Sequence, residues 1–218
     1  PFARKRDLPK MGHGGTLDPF ATGLLAVCVG RGVKLARYFL GSQKTYEGVI
    51  RFGQATVSGD PTTEVSERSP VLPESLDAIR KAAHEFTLKP YFQVPPMHSA
   101  IKKDGKPLYE LARQGIEIER EARELKIHSF EIHSFDGICA PFRVSCSSGT
   151  YVRTLAQDLG RSLGTVAMLD SLRRTASGSH TLAEAMTLQQ ILEQSELAKR
   201  WDTLPAWAPF DRLLDGYE

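Results

Sequence analysis

The run KTYEGVIRFG, residues 44–53, alternates without a break, placing Tyr46, Gly48, Ile50 and Phe52 on one face and Glu47, Val49 and Arg51 on the other. Side chains that repeat every second residue belong to a β-strand, so the chain is committed to a sheet. Runs around 123–135 and 142–147 alternate in the same way and flank Asp136-Gly137, a tight-turn dipeptide. AMLDSLRRTASG, residues 167–178, reads as a further strand, and GLLAVCVG, residues 23–30, as a buried one bounded by glycine.

Helical spacing appears between these runs. RGVKLARYFL is a short helix closed by Gly41, and residues 73–86 place Leu76, Ile79, Ala83 and Phe86 on one stripe with Pro73 in the first turn. Asp104-Gly105 predicts a hairpin, after which Pro107 opens a short helix that Gly115 closes. GTYVRTLAQDLGRSLG is a helix entered through a glycine turn and left through Gly164, and TLQQILEQ is a last helix. Residues 1–11 read as a basic loop. Hairpins outnumber any strand-helix-strand rhythm, so the predicted class is α+β, a mixed but largely antiparallel sheet flanked by helices.

With 218 residues and 41% apolar content, the chain fills a core for one large domain or two small ones, which excludes disorder. Cys28, Cys139 and Cys146 are odd in number and widely spaced, with no metal-ligand pattern; they read as reduced core thiols in an intracellular protein. No run of 18 apolar residues and no apolar leader occurs, so a soluble, cytoplasmic protein is expected. The net charge of +2 hides an asymmetry: residues 1–51 carry +6 and the remainder −4. A basic end fits a polyanionic partner, most simply a nucleic acid, though charge alone fits a solvated positive face equally well.

That basic end contains GHGGTLDPFATG, residues 12–23. Pro19 restrains Asp18 toward extended backbone, and the glycines at 12, 14, 15 and 23 would bare the approach to it. Asp18 is therefore either a reactive carboxylate or the cap of the PFATG turn. A phosphate-cradling loop does not fit, because no Lys-Ser/Thr pair ends the motif and an apolar run follows it. His13 has no second ligand at metal spacing, which leaves base stacking or a plain loop role. Tyr151 and Arg153 sit at a strand-to-helix junction, where a guanidinium can grip a carboxylate bidentately; local sequence does not say which.

Taken together, GHGGTLDPFATGLLAVCVG, KTYEGVIRFGQAT, PPMHSAIKKDGKPLYELARQG, GTYVRTLAQDLG and LRRTASG resemble, in order and interval, the TruB family of tRNA pseudouridine synthases. The resemblance runs from about Met11 to Thr187, and ARQG followed by REAR looks bacterial. It implies a pseudouridine synthase fold with a central RNA-binding cleft. It implies isomerisation of uridine to pseudouridine at position 55 in the T loop of tRNA, by a monomer, without metal or organic cofactor. Asp18 matches the family's essential Asp, Tyr46 the Tyr that stacks on the target base, and Arg153 the partner of the Asp. Tyr151 and Leu172 match substrate-pocket residues, and His13 the residue that packs beside the extruded nucleotide. Lys34, Lys44, Arg113 and Arg173 are candidate contacts to RNA phosphates.

The same resemblance makes residues 1–218 a catalytic domain, truncated at both ends, with an inserted hairpin-helix segment at 88–122 that grips RNA. The family's opening L-D-K-P-x-G-x-T-S motif and its C-terminal PUA domain are not seen, His98 stands where Tyr is usual, and TVSGD replaces T-D-T-x-D. Two rival readings remain at this stage. One is a catalytically idle RNA-binding or RNA-folding module; the other is a carboxylate-pair glycosidase or nucleoside hydrolase, which needs a second acid about 5–9.5 Å from Asp18, where the sequence does not place Glu47 or Asp60.

Overall fold

The structure, a computed structural model, describes residues 10–103 and 105–193. The basic start at 1–9 and Asp104 of the expected turn fall outside the described residues. In chain order come Met11–His13 (β1), Thr22–Gly23 (β2) and Val27–Val29 (β3), a 3-10 turn over Gly30–Leu35, and Ala36–Gly41 (α1). Lys44–Phe52 (β4), Gln54–Thr56 (β5), Val65–Arg68 (β6) and Leu76–Leu88 (α2) follow. Tyr91–Gln93 (β7), Lys102–Lys103 (β8), Lys106–Pro107 (β9), Leu108–Arg113 (α3) and Arg123–Leu125 (β10) form the middle of the chain. Ile127–Ile132 (β11), Cys139–Cys146 (β12), Val152–Ser162 (α4), Ala167–Ser177 (β13), His180–Thr181 (β14) and Leu188–Glu193 (α5) complete it.

The main sheet runs β11-β12-β4-β13-β14, with β2 also paired to β13. Every pairing is antiparallel except β2 with β13. β4 is central, between β12 and β13, as its strict alternation requires: Ile50 and Phe52 are buried on the face that Tyr46 shares. Helices α2 and α4 touch each other and pack on β11 and β13, respectively. Their apolar stripes, Ile79 and Ala83 on α2 and Val152, Leu155, Ala156 and Leu159 on α4, close one core with the sheet. The predicted α+β class holds.

Two expectations fail locally. Residues 23–30 do not form one buried strand, because Leu25 and Val27 are exposed and the run is split: Gly23 pairs with β13 as the end of β2, whereas Val27–Val29 pairs with β1. Gly23 turns the chain at φ +104 before the run can extend. Pro73 does not open α2 either; Ser75 caps it, its hydroxyl accepting from the Ala78 amide at 3.1 Å, which is what a Ser before an apolar stripe commonly does.

Gly48 is where β4 approaches its neighbour most closely. A methyl there would sit 2.3 Å from the Ser171 carbonyl oxygen, at the irregularity between Leu169 and Ser171, and 3.1 Å from the Phe142 ring. Overpacking a central strand forces backbone to move, so Gly48→Ala should cost about 1–3 kcal/mol, read as a lower urea midpoint at unchanged m.

Candidate active site

The loop from Gly14 to Gly23 joins β1 to β2 and carries Asp18. The Asp18 carbonyl closes the PFA turn by accepting from the Ala21 amide at 2.9 Å. Backbone thus does the turn's work, and the carboxylate is left for another partner. That partner is Arg153, on the first turn of α4, whose Nε and Nη2 donate to Asp18 Oδ2 and Oδ1 at 2.8 and 3.0 Å. Fork-to-fork geometry of this kind is the strong form of a charge-assisted bond.

Arg153 is itself fixed from three other sides. Nη1 donates to the Ser58 carbonyl at 2.5 Å, Nη2 to the His98 carbonyl at 2.8 Å, and the Asp60 carboxylate lies 3.6 Å from Nε. The Arg153 side chain is 3% exposed while that of Asp18 is 30% exposed, so the cation is wall and the anion meets solvent. His98 serves through its backbone here, which is why His in place of Tyr leaves the pair intact; burial and the nearby Arg153 charge push its imidazole down, toward the neutral form.

Tyr46 lies on β4, opposite Arg174 of β13. Burial, with smaller contributions that include the Asp18 charge, pushes its phenol up to about 12, against the easing effect of Arg174. The ring is therefore neutral at any working pH, suited to stacking and hydrogen bonding. Its folded value exceeds the ordinary one, so the neutral form's advantage is complete below about pH 10 and fades as pH climbs toward 12. Ultraviolet titration of Tyr46→Phe against the parent should accordingly diverge only above about pH 11, whereas an ordinary phenol would separate them near 10.

Tyr151 precedes α4 and is half-buried; burial raises its phenol, opposed by the Ser99 hydroxyl beside it. Gln93, buried and not singled out in the sequence, pins that residue: Oε1 accepts from the Tyr151 amide at 2.8 Å and Nε2 donates to its carbonyl at 3.0 Å. Leu172 is buried on β13 opposite Gly48. His13 is exposed at the end of β1, opposite Val27, and Lys34, Arg113 and Arg173 are exposed on the 3-10 turn, α3 and β13, with Arg113 over the Tyr109 ring.

Lys44 does not fit its expected role as a phosphate contact. It is 6% exposed, and its ammonium donates to the carbonyls of Phe39, Leu40 and Ser42 at 2.6, 2.9 and 2.6 Å, holding the end of α1. The motif glycines are also used differently. A Cβ at Gly14 would lie 2.2 Å from Phe39 Cβ, and one at Gly23 would lie 2.2 Å from the Arg174 carbonyl oxygen, so both admit protein neighbours. As for a second acid, Glu47 pairs with Arg143 at 3.2 Å on the exposed side of the sheet, and Asp60 is buried and occupied by Ser58 Oγ, the Thr62 amide and Thr62 Oγ1. Among the described residues no group of three or more His, Cys, Asp or Glu is placed to hold a metal, and the three cysteines are free thiols.

A family model for the "TruB family pseudouridylate synthase (N terminal domain)" matches residues 3–152, and one for the "tRNA pseudouridylate synthase B C-terminal domain" matches 153–215. The chain belongs to the TruB family of pseudouridine synthases. It is 47% identical over 192 residues to the tRNA pseudouridine synthase B of Bordetella parapertussis, covering 86% of this chain and 78% of that one. To the tRNA pseudouridine synthase B of Cupriavidus pinatubonensis it is 49% identical over 210 residues, 94% of this chain and 64% of the relative. Among solved structures, a Cbf5-Nop10-Gar1 complex aligns with TM-score 0.67 at 26% identity, over 97% of this chain and 53% of that one. An archaeal box H/ACA sRNP Nop10-Cbf5 complex aligns with TM-score 0.64 at 24% identity, over 99% and 55%, and speaks for the fold. The chain thus spans about half the length of those solved chains. Within its described residues, no helix is long and apolar enough to cross a membrane.

Proposed function

We propose that this TruB family member isomerises uridine to pseudouridine at position 55 in the T loop of tRNA, acting as a monomer without metal or organic cofactor. The observation that carries the reading is the Asp18 carboxylate, clamped bidentately by a buried Arg153 and left partly open to solvent, near enough to Tyr46 for its charge to act on the phenol. In the reaction the N1–C1′ bond breaks, the uracil turns while held, C5 bonds to C1′, the C5 hydrogen leaves as a proton and N1 gains one. Asp18 supplies the negative charge that attacks or steadies the separating partners, and Arg153 holds it aimed.

A uridine in a folded loop must first leave its stack, at a cost of a few kcal/mol. Stacking on the neutral Tyr46 ring returns about 1–3 kcal/mol per base, within a pocket bounded by Tyr151 and Leu172. Outside it, His13 packs beside the extruded nucleotide, and Lys34, Arg113 and Arg173, all exposed, meet phosphates. The segment at 88–122, which includes the β8–β9 hairpin and α3, leaves the body at β7 and returns to it at β10, two strands paired to each other; this placement supports its role as an RNA grip.

A T-arm transcript carrying tritium at uridine C5 tests the reading. Isomerisation expels that tritium into water and leaves no free uracil. RNA binding without release would favour the idle module, and free uracil a hydrolase; either would overturn the proposal.

A further inference from the structure

Beside the exposed Arg173, Arg174 is the largest of the fully buried side chains among the described residues, at 2% exposure, and no described carboxylate is among its hydrogen-bond partners. A buried guanidinium is expensive unless its donors are used. They are used on one segment. Nε donates to the Leu24 carbonyl at 2.8 Å, Nη2 to the Gly15 carbonyl at 3.2 Å and Nη1 to the Thr16 carbonyl at 3.4 Å. These acceptors bracket Asp18 on both sides. The backbone of Arg174 adds to the grip, its carbonyl accepting from the Leu24 amide at 2.8 Å, and Gly23 lacks a side chain because that strand passes against it.

Arg174 and Tyr46 face each other across β13 and β4, and the charge of Arg174 eases the rise of the Tyr46 phenol. Side-chain alternation puts Arg174 on the face of Leu172, which lies opposite Gly48, the next inward position after Tyr46. One rigid planar fork therefore spans the two parts that must meet the flipped base: the loop carrying the acid and the strand carrying the ring.

We infer that Arg174 is the positioning residue that sets the distance between the Asp18 loop and Tyr46, acting through both without touching substrate. The inference rests on the proposed uridine isomerisation for its kinetic readout. Lysine is the informative replacement, since its single ammonium keeps the charge but cannot hold three carbonyls in a plane. Arg174→Lys should melt cooperatively and bind the T-arm transcript as the parent does. Its single-turnover tritium release should nevertheless fall about 100-fold, the scale of a misplacement near 1 Å. Backbone amides between Gly15 and Leu24 should exchange with deuterium faster, while those of β12 keep their protection. Arg174→Met should show the same pattern, larger.

Release at the parental rate in folded Arg174→Lys would overturn the inference, as would a rate loss that only tracks the unfolded fraction, or unchanged exchange in the loop. Failure of both variants to fold would make Arg174 a determinant of folding and also overturn it. If the parent itself releases no tritium, the proposed function fails, and loop exchange alone then decides the role of Arg174.

Discussion

Asp18→Asn should abolish tritium release from the T-arm transcript, a loss on the order of 10⁴-fold, comparable with removing the acid of a well-characterised catalytic triad, while affinity for the RNA is retained. The amide is nearly isosteric, and its oxygen still accepts from one of the two Arg153 donors. What disappears is the charge. Asp60 at 3.6 Å keeps Arg153 from being left without any anion, so the folded state survives to be assayed. Retained affinity is expected because the carboxylate repels phosphate if it does anything to binding. An unchanged yield of pseudouridine in Asp18→Asn would remove the basis of the proposed mechanism.

The second large effect is on stability. Arg153→Leu strands the carboxylates of Asp18 and Asp60 and the carbonyls of Ser58 and His98 around an apolar side chain. Breaking a buried pair from one side costs about 3–5 kcal/mol. The Asp60 side chain, 4% exposed, takes most of that penalty, since Asp18 can turn to solvent. Arg153→Lys should lose less, because an ammonium restores charge without the fork. Urea unfolding of the three proteins checks the order, and parental stability in Arg153→Leu would show that the network is ornamental.

Periodicity made most of the fold legible. The alternation of residues 44–52 located the central strand, and Gly149 and Gly164 bounded α4 as glycines in left-handed turns do. It misled at residues 23–30, where an apolar run is broken by a turning glycine and shared between solvent and a small ribbon. At the site, the residue types of Asp18, Tyr46 and Arg153 were readable, but their pairing came only from the family resemblance, because nothing local to residue 18 points to residue 153. Lys44 shows the opposite failure: a cation in a basic stretch looks like an RNA contact until the end of α1 is seen folding its carbonyls over it. Arg174 and Gln93 were missed for want of a rule that a buried polar residue must have a full set of partners. Strand alternation from Leu172 would have flagged Arg174 as inward-facing, whereas nothing in the sequence flags Gln93.

The guanidinium at the head of α4 gathers its acceptors from 135, 95 and 55 residues earlier in the chain. Contacts that distant form only after long loops have closed, which places them late in assembly. The acid and its cation can therefore meet only once α4 has docked against a loop 135 residues upstream.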